Sequence, residues 1–502
     1  MSVLRVAQIA FDHDVAKAHD QIVAAGAPKI LIQCLDRALC VDHHNWHEVD
    51  IICQLLCMSY RCSDEVAAES FTATGANLCP LLFSILLAAK SIPSRETPST
   101  VYQLLTRFAS LEISLRSMIG VTQLLRVLRQ IITSSDVYTE RECLAVAMQL
   151  IVGLTKHCES KFFFMEYPGL FDSVVSAVSR SCRPACDINL EVARLIENLA
   201  WDPRNKSSLA GKKAVVNLII LLARDKSLET QFSAIAALTS LSIDGCGRSK
   251  LASIGGKRLL GMLMRAALII ETRERALETL LNLLSHHNAI VLCRFRNFFS
   301  LMTSVAASPS IQKGSIIASQ IIKRIATYIP ASHPCHSALV DSILTLSSSN
   351  SHRIRLWAAK SFVAQSLIPG SSFFMMRIHQ IVKALTQLAQ DSYPAVRASA
   401  VEAVQNLAAD TANLTRLAME TEVLEVVVRI AEEIEGEEAA VIARRQAVQV
   451  LLRLANHPST KRRIAKQRGL VESLSKFGMS HDSDVELKRA AIHGVILLAP
   501  LM

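Results

Sequence analysis

"LETQFSAIAALTSL", Leu228 to Leu241, and "IETRERALETLLNL", Ile270 to Leu283, decide the reading of this chain. Laid one on the other, Thr230 meets Thr272, Gln231 meets Arg273, Ala234 meets Ala276 and Leu238 meets Leu280, always at an offset of 42. A fixed internal period of this size sets the whole fold and outranks any single motif.

Downstream the frame returns. "SHRIRLWAAKSF" and "SYPAVRASAVEA" place Arg355 over Arg397 and Ala358 over Ala400, again 42 apart. Later copies slip: Arg444 lies 47 beyond Arg397, and Lys488 lies 44 beyond Arg444. The acidic stretch "AEEIEGEEAA", Ala431 to Ala440, is expected to absorb the surplus as a loop between helices. Nine residues after this column stands a second one: Asn198, Ser240, Asn282, Asn406 and Arg453. Each copy closes in an apolar helix such as "LIENLA" or "AVQNLA", then a breaker such as "DPRNK" or "NHPSTKR".

Composition agrees. With 502 residues, 51% of them apolar, the chain exceeds the roughly 250 to 300 residues at which one core stops growing, so domains or a repeat stack must share it. Aromatics are only 5%, Gly and Pro number 17 and 14, and the apolar residues are mostly Leu, Ile, Val and Ala. That balance favours an all-α protein of helices stacked on helices.

Its longest apolar runs, such as "VVNLIILLA" from Val215 to Ala223, fall short of the roughly 20 residues of a membrane span. "MSVLRVAQIAFDHDVAKAHD" lacks an apolar signal core and carries Asp12, Asp14 and Asp20. Thirteen cysteines, an odd number spread over a long chain, read as reduced and buried thiols. The expectation is a cytoplasmic protein with access to the nucleus or cytoskeleton.

The segment "SKLASIGGKRLLGMLMRA…ETRERALETLLNLL" resembles an armadillo repeat: a short first helix, a Gly turn, a second helix, and a long third helix ending in Asn-Leu. "LTQLAQDSYPAVRASAVEAVQNLA" resembles a HEAT repeat, with Asp391, Pro394, Val396 and Arg397 in the expected spacing. The resemblance covers about Asp187 to the C-terminus. It implies a right-handed α-solenoid superhelix of about 42-residue armadillo/HEAT-like repeats, with the third-helix Asn column holding an extended peptide backbone in a groove. Arg194, Asn198, Ser240, Asn282 and Asn406 are the candidate groove residues. An Asn side chain supplies both a donor and an acceptor to a peptide main chain.

Four regions follow: 1–90 and 101–186 with looser register, 187–330 with regular repeats, and 331–502. "SIPSRETPST", Ser91 to Thr100, and "PASHPCHS", Pro330 to Ser337, are the candidate breaks, each also readable as a loop within the solenoid. "IVAAGAPKILIQCL" and "SFTATGANLCPLLFSILL" resemble first-to-second-helix junctions at Gly26 and Gly75.

Charge is uneven. From Ala200 to Pro330 there are 18 Lys/Arg against 7 Asp/Glu, while the net charge of the whole chain is +10. The excess recurs with the repeat: Arg204 and Lys206 return as Arg248 and Lys250, and Lys212 and Lys213 as Lys257 and Arg258, at offsets of 44 and 45. Such an edge attracts an acidic peptide, a nucleic-acid backbone or an acidic protein surface; the alternative is ordinary solvated Lys and Arg. Without interleaved aromatics, nucleic acid is disfavoured. "KRRIAKQR", with Lys461, Arg462, Arg463, Lys466 and Arg468, reads either as a localisation signal or as a solvated helix face.

Other chemistry is not supported. Armadillo-class import receptors pair each groove Asn with a Trp one turn earlier; here those positions are Arg194, Ala236, Glu278, Glu402 and Gln449. Cys40, His43, His44, His47, Cys53, Cys57 and Cys62 lack the paired spacing of a zinc site. "SIDGCGRSK" lacks the spacing of a phosphate loop. No catalytic residue, metal or cofactor is assigned. The expected function is a non-enzymatic scaffold or adaptor binding an extended or acidic protein segment. The alternatives are a structural subunit of a cytoskeletal, ciliary or proton-pump assembly, and a nuclear transport receptor.

Overall fold

Helix boundaries in this chain are set by short polar punctuation. Asp202, Ser227, Ser285, Asp410 and Asp484 each turn a side-chain oxygen onto a backbone N–H in the first turn of the helix they precede. Each satisfies one of the donors that a helix start leaves unpaired. Pro203, Pro394 and Pro458 stand at helix starts, where a missing N–H removes no hydrogen bond.

The computed structural model describes residues 26–39, 46–60, 140–156, 158–180, 186–308, 312–433, 438–467, 469–479 and 484–501, with isolated positions elsewhere before residue 140. Among the described residues every regular element is a helix. The chain divides into two compact units, Met1–Met262 and Leu263–Met502.

In the first unit α1 (Ala27–Leu39) packs on α2 (Trp46–Ser59). Then follow α3 (Glu140–Thr155), α4 (Cys158–Glu166), α5 (Leu170–Arg180), α6 (Cys186–Trp201), α7 (Pro203–Gly211), α8 (Lys213–Leu222), α9 (Leu228–Ile243) and α10 (Gly245–Ala266), the last of which runs past the unit's end at Met262. The long third helices α3, α6 and α9 lie side by side, while first helix α4 packs on α7 and second helix α5 on α8. In α9, Ala234, Ile235, Ala236, Ala237, Leu238 and Leu241 are at most 1% exposed. The helix is covered on several sides, so its sequence is apolar around most of its girth. Each fully covered Leu or Ile contributes about 1.5–3 kcal/mol.

The turn expected at "IGGKR" is present: α10 breaks at Gly256, with φ 46° and ψ −139°, a conformation that L side chains rarely adopt. The break separates a first helix from a second.

In the second unit the order is α11 (Ile270–Leu283), α12 (His286–Cys293), α13 (Phe298–Ala307), α14 (Gln312–Ala326), α15 (His336–Ser347), α16 (His352–Ser366), α17 (Ser371–Arg377) and α18 (His379–Ala389). It continues as α19 (Pro394–Leu407), α20 (Thr411–Leu417), α21 (Thr421–Glu432), α22 (Glu438–Asn456), α23 (Pro458–Ile464), α24 (Leu470–Gly478) and α25 (Val485–Leu498). Third helices α11, α14, α16, α19, α22 and α25 contact one another in succession. Second helices α13, α15, α18, α21 and α24 form a parallel series, and first helices α17, α20 and α23 form a third.

Pro330 to Cys335 forms turns in place of a first helix inside the second unit, in keeping with the loop reading of "PASHPCHS". The acidic loop is shorter than Ala431 to Ala440, because α21 runs through Glu432 and α22 begins at Glu438, with 434–437 outside the described residues. At the other proposed break, only Thr100 of Ser91 to Thr100 is described, and it is helical.

Candidate protein-binding surfaces

The column at Gln231, Arg273, Arg355 and Arg397 lies in the first turns of α9, α11, α16 and α19. Gln231 Nε2 donates to the Asp225 carbonyl at 2.6 Å, Arg273 Nε to Ala267 at 2.9 Å, Arg355 Nη1 to Ser349 at 2.9 Å, and Arg397 Nη1 to Asp391 at 2.9 Å. Every acceptor is six residues before its donor, just past the end of a second helix. These are carbonyls that a helix end leaves without intrahelical partners.

The same seam ties one layer to the next. Asn189 donates to Asp225 at 2.7 Å, Arg355 to Asp391 at 2.5 and 3.0 Å, and Arg397 to Glu433 at 3.5 Å, each 36 residues ahead. Burial pushes the Asp391 carboxyl up, but the bonds from Arg355 and the Tyr393 N–H, with the Arg355 charge, hold it below the usual carboxylate range. Arg444 reaches the Ala431 carbonyl and lies over the Phe477 ring at 4.8 Å. This column is structural.

The Asn column lies in the last turns of third helices. Asn198 Nδ2 donates to the Val152 carbonyl at 3.3 Å and the Thr155 hydroxyl at 3.4 Å on α3. Asn406 Nδ2 donates to the Ser366 hydroxyl at 3.1 Å on α16, and Arg453 to the Gln405 carbonyl at 2.7 Å on α19. Gln365 does likewise, reaching the Ala326 and Ile329 carbonyls at 2.6 and 2.9 Å. Asn198 therefore commits its amide N–H groups to the neighbouring third helix, while its Oδ1 accepts from no described residue. Asn198 and Ser240 lie on adjacent helices of the first unit; in the second, Asn282 and Asn406 are separated by α14 and α16. Arg194 is exposed but bonded to Glu191 at 3.2 Å and Glu229 at 3.3 Å, so its charge is locally balanced.

Sequence reasoning missed the apolar part of this face. Trp201 on α6 is 60% exposed, and on the adjacent α9 Phe232 is 37% and Ile243 62% exposed. Trp201 and Ile243 stand 42 apart, three residues beyond Asn198 and Ser240. Trp46, Trp201 and Trp357 form no repeated ladder in the sequence, and the place equivalent to Trp201 on α9 is taken by Ile243.

The basic edge sits elsewhere, on first helices and the starts of second helices. Arg204 pairs with Asp202 at 2.8 Å and lies over the Phe162 ring at 4.3 Å. Lys212 pairs with Asp172 at 3.0 Å, and Lys250 donates to the Ser207 carbonyl and hydroxyl at 3.1 and 2.7 Å. Lys206 and Arg248 are half-buried. Lys213, Lys257 and Arg258 are exposed and have no ion-pair partner among the described residues. Lys213 opens α8, whose first turn has no acidic residue, and Lys257 and Arg258 directly follow the Gly256 break.

Among the described residues no three His, Cys, Asp or Glu side chains group as a metal site. Cys53 is buried on α2, which with Asp50 and Cys57 pushes its thiol up to about 12. Cys40, His43, His44 and Cys62 lie outside the described residues. An open cleft of about 690 Å³ in the second unit, lined by Ser308, Ser315, Thr345, Ser349 and Arg353, holds one histidine and no carboxylate or thiol. Among the described residues no single helix is long and apolar enough to cross a membrane.

No known family model matches the sequence, and no curated protein matches it. Many solved structures are similar in fold, among them two that cover most of this chain. One comes from work on a phosphorylation switch controlling the interaction between cadherin and β-catenin; it is 15% identical, covers 98% of this chain and 99% of its own, and has a TM-score of 0.59. The other is an engineered protein, 16% identical, covering 83% of this chain and 98% of its own, with a TM-score of 0.54. At such identities the likeness concerns fold alone, and it fits an armadillo-like helical stack.

Proposed function

We propose that this chain is a non-enzymatic protein-interaction scaffold or adaptor, a right-handed α-solenoid of armadillo/HEAT-type repeats that holds an extended, acidic segment of another protein. The observation that carries the reading is the placement of Lys213, Lys257 and Arg258. All three stand in first turns of second helices, where the helix dipole is already positive and a basic side chain costs about 0.3–1 kcal/mol. They are exposed and without an ion pair among the described residues. Cations set against their own helix dipole do not serve the helix. An external carboxylate would be attracted by the cations and the helix start together.

Trp201, Phe232 and Ile243 offer the same segment apolar contact on the third-helix face, and Asn198 Oδ1 offers an acceptor for its main chain. A structural neighbour drawn from work on a protein–protein interaction supports this reading.

The test is purification of the tagged chain with its partners across a salt series, beside the variant Lys213→Glu/Lys257→Glu/Arg258→Glu. Partners lost with both salt and charge reversal support the reading; partners retained through both sink it. Retention would favour a structural subunit of a larger assembly, held by apolar contacts such as exposed Val485, Ile492 and Ile496 on α25.

A further inference from the structure

The basic cluster "KRRIAKQR" is not absorbed by the surfaces above. Through Gln467 it belongs to a ridge built from α17, α20 and α23, Arg468 lying outside the described residues; neighbouring helices are cross-linked by Ser372 to Asp410 at 3.0 Å, Thr415 to Ser459 at 3.0 Å, and Arg463 to the Ala418 carbonyl at 2.7 Å. Equivalent positions follow offsets of 42 and then 47: Phe373, Thr415 and Arg462; Arg377, Met419 and Lys466. Arg377, Arg416, Arg462 and Lys466 are exposed and have no ion pair among the described residues. The ridge's acids are few, and Asp410 already accepts from Ser372 and the Ala412 N–H.

Charge alone does not carry an inference. Arg377, Arg416 and Arg462 each lie in the last turn of a helix, where the dipole favours a cation. The dipole does not account for the apolar side chains between them. Phe373, Phe374 and Met419 are 37%, 48% and 58% exposed, and the Arg377 guanidinium lies over the Phe373 ring at 4.1 Å. Cations interleaved with exposed apolar side chains form a surface complementary to an acidic, partly apolar ligand.

We infer that this ridge is a second docking surface, taking an extended protein segment with an acidic side chain at about every third residue and apolar side chains between. Packed helices lie about 8–10 Å apart, and a chain in the extended polyproline II conformation advances about 9 Å in three residues and returns every third side chain to the same face, so successive acidic groups meet successive first helices. The inference rests on the reading of the chain as a binder of protein segments, but places this contact on residues that reading does not use.

The probe is a fluorescein-labelled peptide of Glu-Phe-Ser repeats added to the full chain, with a control of equal composition whose glutamates are grouped at one end. The expected result is binding that weakens at least tenfold in Arg377→Glu/Arg416→Glu/Arg462→Glu and changes far less in the equally charged control Lys383→Glu/Arg429→Glu/Lys476→Glu, three exposed cations on second helices. Hydrogen exchange of the unaltered chain should slow in 371–377, 411–417 and 458–464 when the peptide binds, which decides the matter if the ridge variant folds poorly. Protection elsewhere, equal binding of the control peptide, or no binding overturns the ridge. Loss of binding only in Lys213→Glu/Lys257→Glu/Arg258→Glu overturns it while leaving the proposed function standing. Sedimentation with phosphatidylserine vesicles, without peptide binding, overturns it in favour of a membrane surface.

Discussion

Basic residues recur with the repeat at two kinds of place in this molecule, and the two have opposite fates. Arg355 and Arg397, at the starts of third helices, turn inward onto carbonyls six residues back and carboxylates 36 residues ahead. Lys213 and Lys257, at the starts of second helices, remain exposed and unpaired among the described residues, as do Arg377 and Arg416 on first helices. Periodic charge alone therefore does not distinguish a seam from a docking edge. What separates them is whether a helix end lies within reach to accept the hydrogen bonds.

The largest effect that tests this contrast is on Asp391. Its carboxylate is mostly covered, with a side-chain exposure of 5% against 19% for Arg355. Asp391→Asn keeps the shape and removes the charge, leaving a covered guanidinium without its counter-charge, and should destabilise by about 3 kcal/mol. Arg416→Glu, on the exposed ridge, should change stability by less than about 0.5 kcal/mol. Urea unfolding followed by circular dichroism measures both, and equal shifts would erase the distinction between seam and edge.

Gln365 sharpens the same contrast on the third-helix face. Its amide closes two carbonyls of the preceding layer, and its own side chain is 1% exposed. Gln365→Ala leaves those acceptors buried and unpaired and should cost about 2 kcal/mol in the same unfolding measurement. A cost no greater than that of Arg416→Glu would mean that the interlayer amides are incidental.

Helix order and much of the layer spacing were legible from the aligned columns, because stacking imposes a common period on the residues that cover one another. Asp202, Ser285 and Asp410 announce helix starts by residue type. The role of each column was less legible. Lys250 and Lys213 look alike in sequence, yet one lies against Gly211 and bonds Ser207 while the other is free of such contacts. Trp201 is one of three tryptophans that form no repeated ladder in the sequence, and its exposure, like that of Ile243 on the adjacent helix, is decided by packing.

The smallest effect is a titration within the seam. His336, at the start of α15, is buried with its Nε2 at 3.0 Å from Gln365 Oε1. Gln365 uses its own amide N–H groups on carbonyls, so its Oε1 must accept and His336 Nε2 must donate. Burial lowers the His336 pKa below the ordinary histidine value, and the Gln365 bond only partly opposes this. The unfolded chain takes up this proton near pH 6.5, whereas the folded chain does so only at lower pH. Between those values the unfolded state holds more protons, so stability rises with pH. The contribution is fully present above about pH 6.5 and is lost as pH falls through the folded value. The unfolding midpoint should therefore begin to decline as pH falls below about 6.5, above the range in which ordinary carboxylates titrate. Arg416→Glu should keep that decline, and His336→Gln should flatten it. An unchanged slope in His336→Gln would move the titration away from the seam and remove this pH-dependent difference between the two regions.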